Sequence, residues 1–148
     1  MTKLLLAICL LAAPLVAQKK AINVNPPSPS RPFSDAILAG DTLYLSGKMG
    51  FNDKGELPAT FEEEARAALE AQRPVLKAAG FDYANVVKVT VFLADMKDFE
   101  TWNKVYSEFF KTDRPARSTV QVAGLVRGGH VEVEMIAVRG PRLAPASR

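Results

Sequence analysis

Few residues in this chain have both the type and the setting to do chemistry. Arg117 opens the alternating segment "RSTVQV" behind Pro115, and a guanidinium that stays charged in any environment can grip a carboxylate through paired hydrogen bonds. Glu132 lies in a second alternating segment, "VEVEMIAV", where its carboxylate could hold and polarise a water as a general base. Ser46, followed by Gly47, could orient that water or a substrate nitrogen. Each has a plain alternative. Arg117 could pair with Glu132 or Glu134, Glu132 could be a solvated strand residue, and Ser46 an ordinary strand serine. His130 is the sole histidine and follows Gly128 and Gly129 at a strand entrance, so it reads as an exposed turn residue.

Spacing argues against other chemistries. Neither a histidine pair nor a histidine–carboxylate cluster has metal-ligand spacing. "GKMG" opens no helix and "RGGH" lies between strands, so nothing cradles a phosphate, and no serine sits in a nucleophile elbow. Neither metal nor cofactor is expected.

With 148 residues, 48% hydrophobic and 24% charged, the chain can bury one core. A net charge of +3 comes from interspersed charges without a basic block, which argues against a nucleic-acid partner. Residues 1–17, "MTKLLLAICLLAAPLVA", place Lys3 before an apolar run shorter than the ~20 residues of a membrane span. They read as a signal peptide, predicting a periplasmic or secreted protein, with no membrane contact after cleavage and the cytoplasm as the alternative. The only cysteine, Cys9, falls inside this run, so the mature chain would carry no disulfide or thiol nucleophile. Residues 18–32, rich in Pro and Ser, form an extended arm; 33–140 form the domain and 141–148 a tail.

Period and punctuation supply the elements that must position the candidates. Gly40-Asp41 joins two short strands, with Leu43 and Leu45 on one face. Thr60 and Glu63 make a capping box for a helix over 60–79 that contains Pro74 and stops at Gly80. Residues 87–93 alternate with Val87, Val89, Val91 and Leu93 inward, and 98–110 form a helix with an aromatic stripe and Asp98 at its N-terminus. In the strand that follows Pro115, Ser118, Val120 and Val122 take the core parity and Arg117 and Thr119 the other; a last strand covers 131–138. The order ββαβαββ predicts an α+β fold with one mixed sheet and two helices on one face. The second face would then collect Tyr44, Phe92, Ile136 and Val138 with Ser46, Arg117, Thr119 and Glu132. So mixed a face needs cover, which predicts a homo-oligomer with polar pockets between copies.

"PFSDAI", "LYLSGKMG", "VVKVTVFLADMKDFETWNKVYSEFF", "PARSTVQV" and "VEVEMIAVRG", in this order, resemble the Rid family of reactive-intermediate deaminases, also called the YjgF or L-PSP family, over residues 32–140. The resemblance implies a chorismate-mutase-like α+β fold in a homotrimer with clefts between subunits. It also implies hydrolysis of 2-imino or enamine acids to 2-keto acids and ammonia without a cofactor. By position, Arg117 matches the arginine that binds the substrate carboxylate and Glu132 the glutamate associated with the attacking water. Ser46 and Gly47 match a segment lining the pocket, and Asn103 a helix residue near the cleft. Phe33 stands where many members have a tyrosine, and Thr119 where many have a cysteine. The alternative is a non-catalytic trimer that binds small carboxylates or regulates. The family's older naming suggests an endoribonuclease, but the sequence offers neither a basic stripe with stacking aromatics nor a histidine pair.

Overall fold

The computed structural model describes residues 19–26 and 31–140; the signal peptide expected at 1–17 and the tail at 141–148 lie outside them. Six strands form one sheet in the order β1-β2-β3-β6-β4-β5: β1 (Lys19–Ile22), β2 (Ala36–Ala39), β3 (Thr42–Met49), β4 (Val86–Leu93), β5 (Ala116–Gln121) and β6 (Val131–Val138). Neighbours run antiparallel except β4 and β5, which are parallel and joined through α3 (Phe99–Phe109). The expected α+β plan therefore holds, with one addition. The arm residues Lys19–Ile22 form an edge strand on β2, so the sheet begins ahead of residue 33.

Alternation in β6 puts Val131, Val133, Met135 and Ala137 on the helix side, where they meet Leu43 and Leu45 of β3 and Val89, Val91 and Leu93 of β4. Val87 departs from its expected place. The register slips between Val86 and Lys88, so Val86 takes the buried position and Val87 points outward. The Gly40-Asp41 hairpin is present, with Gly40 at φ 60 supplying the left-handed corner.

The helix expected over 60–79 is two helices, α1 (Phe61–Glu70) and α2 (Arg73–Ala79). Thr60 and Glu63 exchange the capping-box bonds, and Gly80 at φ 76 ends α2. Pro74 cannot donate to a carbonyl one turn back and its ring crowds that carbonyl, so the chain resets at Ala71–Gln72 and Pro74 falls in the first turn of α2. The reset turns Gln72 inward. It is fully buried, and its Nε2 donates to Ser46 O at 3.1 Å and Val133 O at 2.7 Å. In α3, Trp102, Tyr106 and Val105 face the core, but Asp98 makes no side-chain cap.

Strand β5 turns to the helices the face opposite to the one its alternation suggests. In its parallel register Arg117 lies beside Val89 and Thr119 beside Val91, both core-facing residues of β4. Arg117 and Thr119 therefore project to the helix side, while Val120, expected in the core, is 43% exposed on the opposite face. β5 is an edge strand whose helix side is roofed by polar and aromatic residues of α3, so alternation alone did not reveal which parity is covered. The outward face keeps Tyr44, Phe92, Ile136, Val138 and Glu132 as expected, without Arg117.

Candidate functional site

Arg117 leaves the start of β5 and passes under α3. Its Nη2 donates to Asn103 Oδ1 at 2.7 Å, and its Cζ stands 4.7 Å from the Tyr106 ring centroid and 5.7 Å from that of Phe99. Among the described residues it has no carboxylate partner, which removes the expected alternative of a pair with Glu132 or Glu134. Stacking on an aromatic face holds a guanidinium in place while leaving its in-plane donors free. Beside it opens a groove of about 350 Å³ lined by Asn103, Tyr106, Ser107, Arg114, Pro115 and Arg117. Among the described residues the Tyr106 hydroxyl, which belongs to the groove lining, and the Thr119 hydroxyl and Trp102 indole N–H are buried without a partner. Burial pushes the Tyr106 phenol up to about 12, against the pull of Arg117 and Arg114.

Glu132 belongs to the other face. β6 carries it outward beside Phe92 of β4, and its carboxyl lies over Gly47 so closely that a Cβ on Gly47 would collide with Oε1. With Glu132 in this position, residue 47 has no room for a side chain. The register of β3 against β6 shifts between Leu45 and Lys48, and this bulge frees the carbonyls of Ser46 and Val133, which Gln72 satisfies. Ser46 Oγ donates to Ser34 O at 2.7 Å, tying the bulge to the segment that carries Phe33. Phe33 is exposed, with Arg31 Cζ 5.2 Å from its ring centroid. Burial raises the Glu132 carboxyl above its ordinary range, and the charge of Glu134 raises it further. A carboxylate so placed can take a proton from water and return it later.

The expected residues thus form two groups. Arg117, Asn103 and Thr119 stand on the helix side of the β5 edge; Glu132, Gly47, Ser46 and Phe33 belong with the β3–β6 bulge, and Glu132 faces outward. Strands β6 and β5 are separated by β4, about 10 Å apart. One small molecule cannot touch both Arg117 and Glu132 of the same protomer.

His130 keeps its ring half in solvent but is not merely a turn residue. Its Nδ1 lies 2.7 Å from Oε2 of the buried Glu64, whose Oε1 accepts from the His130 N–H at 2.7 Å and the Val131 N–H at 3.3 Å. This carboxylate ties α1 to the start of β6. Sequence reasoning missed it, and missed Gln72 too, although a glutamine one turn beyond Ala68 interrupts the apolar stripe and is a readable signal.

A mixed sheet with its helices on one face, an arginine held by a helix asparagine on an edge strand and a glutamate over a glycine bulge define the class. Residues 23–139 match the family model described as Endoribonuclease L-PSP, and the chain belongs to this family, which is the Rid family. It is 49% identical to the 2-iminobutanoate/2-iminopropanoate deaminase of Bos taurus over 85% of this chain and 93% of that one. The deaminase of the same description from Homo sapiens is 46% identical over 74% and 82% of the two chains. Among solved structures, E. coli TdcF with bound serine superposes with a TM-score of 0.74 at 36% identity, covering 82% of this chain and 99% of that one.

Proposed function

We propose that this protein hydrolyses 2-imino acids, and the enamines in equilibrium with them, to 2-keto acids and ammonia, in a homotrimer whose sites lie between copies. The observation that carries the reading is Arg117, held by Asn103 and Tyr106 at the mouth of a groove and free of any carboxylate among the described residues. Relatives of this chain at 44–49% identity are 2-imino acid deaminases.

Arg117 receives the substrate carboxylate in paired, charge-assisted hydrogen bonds, which orients C2 of the imine. Water adds to C2 of the N-protonated imine as the C=N electron pair moves to nitrogen and leaves a neutral amino group, and Glu132 accepts the proton that the water loses. The resulting carbinolamine collapses when the proton held by Glu132 passes to the amino group. The C–N bond breaks with its electron pair going to nitrogen, the hydroxyl proton passes to the Glu132 carboxylate and on to solvent, replacing the proton the imine brought, and ammonia leaves a 2-keto acid. The balance is one imine and one water in, one keto acid and one ammonia out. A carboxyl raised by burial suits both halves of this relay.

Because Arg117 and Glu132 face opposite sides of the sheet, a complete site needs the β5 edge of one copy against the Glu132 face of another. The exposed Tyr44, Val120 and Val138 on that face favour the same contact. For the cell, we place the protein in the periplasm or outside, on the strength of residues 1–17.

The test is the rate of imine loss with freshly generated 2-iminopropanoate. Wild type accelerates it, and Arg117→Ala and Glu132→Gln abolish the acceleration while remaining folded. Binding of pyruvate without any acceleration would replace the enzyme with a carboxylate-binding trimer, and RNA cleavage lost in the same variants would favour the endoribonuclease. Sedimentation of wild type as a monomer would refute the shared site.

A further inference from the structure

Arg117 is one of two arginines in the groove beside α3, and the second has no part in the reaction above. Beyond the end of α3 the chain turns at Asp113, in the left-handed region at φ 46, and Arg114 folds back so that its Nε donates to Phe110 O at 3.2 Å. That bond occupies one nitrogen. The terminal nitrogens Nη1 and Nη2 of Arg114 have no acceptor among the described residues, and no carboxylate lies within 4.0 Å of its guanidinium there. By contrast Arg31, Arg66, Arg73 and Arg139 each have an acidic partner within that distance.

Arg114 and Arg117 line the same groove of about 350 Å³, and both act electrostatically on the Tyr106 phenol, so their charges converge. Asn103 adds to the donors: its Oδ1 is taken by Arg117, and its amide N–H groups have no acceptor among the described residues. Two unneutralised guanidiniums facing one small groove repel each other until an anion enters. A single carboxylate neutralises one of them. A ligand with two carboxylates neutralises both.

We propose that this groove is a two-anion site in which Arg117 takes the 2-carboxylate and Arg114 a second one, so that the preferred substrates are imines of acidic amino acids, such as 2-iminosuccinate and 2-iminoglutarate. The role of Arg117 rests on the deaminase reading; the second subsite can be measured without turnover. Arg114 is exposed in the single chain, and one extra charge-assisted contact to a carboxylate there discriminates about tenfold.

The experiment uses the full chain as wild type, Arg114→Gln and Arg114→Lys. Calorimetry measures binding of 2-oxoglutarate, 2-oxobutanoate and inorganic phosphate, and kinetics compares kcat/KM for 2-iminoglutarate and 2-iminobutanoate made in situ. Wild type is expected to favour the dicarboxylate in both measurements by about tenfold or more, with the ratio falling to about one in Arg114→Gln and to an intermediate value in Arg114→Lys. Equal affinity for the two keto acids in wild type overturns the proposal. So does a ratio unchanged by either substitution while melting temperature falls, which would make Arg114 only the cap of α3. Phosphate binding as tightly as 2-oxoglutarate overturns it as well, marking an unselective anion site. Arg114-dependent binding without turnover of either imine removes the deaminase reading and leaves the subsite; turnover without an Arg114-dependent preference does the reverse.

Discussion

Replacing Gly47 by alanine separates where the Glu132 carboxylate stands from whether the chain folds. The new Cβ would meet the Glu132 carboxyl first, with Oε1, Cδ and Cγ as its nearest neighbours and no backbone atom among them. Gly47 is outside the left-handed region, so alanine can adopt its backbone, and the flexible end of a glutamate can swing aside. Stability should therefore change by no more than about 1 kcal/mol. Clearing the overlap moves the carboxylate by about 1 Å, and misplacement on that scale costs about 100-fold in rate, or about 2.7 kcal/mol of barrier. Arg117 lies on the other side of the sheet and keeps its grip, so kcat should fall while KM stays nearly constant. The assay is steady-state hydrolysis of 2-iminopropanoate beside a thermal melt. In a Glu132→Gln background the same alanine should add little, because both changes remove one function. Full kcat in a folded Gly47→Ala protein would refute the reasoning, as would a loss of rate that persists undiminished without Glu132.

Three further outcomes follow from the same geometry. Asn103→Ala releases the Arg117 guanidinium from its only side-chain acceptor among the described residues, and KM should rise about tenfold with a smaller change in kcat, read from initial rates with 2-iminopropanoate. Glu134→Gln removes one of the two causes that raise Glu132, so the acid limb of kcat/KM should move to lower pH yet remain above that of an ordinary glutamate, since burial persists; an unmoved limb would separate Glu132 from that ionisation. Asp35 is fully buried: burial pushes its carboxyl up, but hydrogen bonds from Lys48, the Val24 N–H and Arg31 outweigh this and hold it below its ordinary value. Its folded pKa is thus below the unfolded one, so its stabilisation is full above the ordinary aspartate range and is lost as pH falls through the folded value. Asp35→Asn should cost on the order of 3 kcal/mol at neutral pH, and less on acidification, in denaturant titrations.

The elements were legible because their causes are local. Alternation marked β3 and β6, a capping box and a left-handed glycine bounded the first helical region, and 3.6-residue spacing of aromatics marked α3. The chemical types of Arg117, Glu132 and Asn103 were also readable, since only such side chains clamp a carboxylate, take a proton from water or steady a guanidinium. The faces on which they stand were not. A strand's parity is visible in sequence, but which parity is covered depends on what packs above it, and β5 is an edge strand roofed by Asn103 and Tyr106 of α3. Tertiary structure alone turned Arg117 under that helix and left Glu132 on the opposite face over Gly47. It also brought Arg114 back to the groove and set Gln72 beneath the bulge, because contacts between residues far apart in the chain are decided by packing rather than by local pattern.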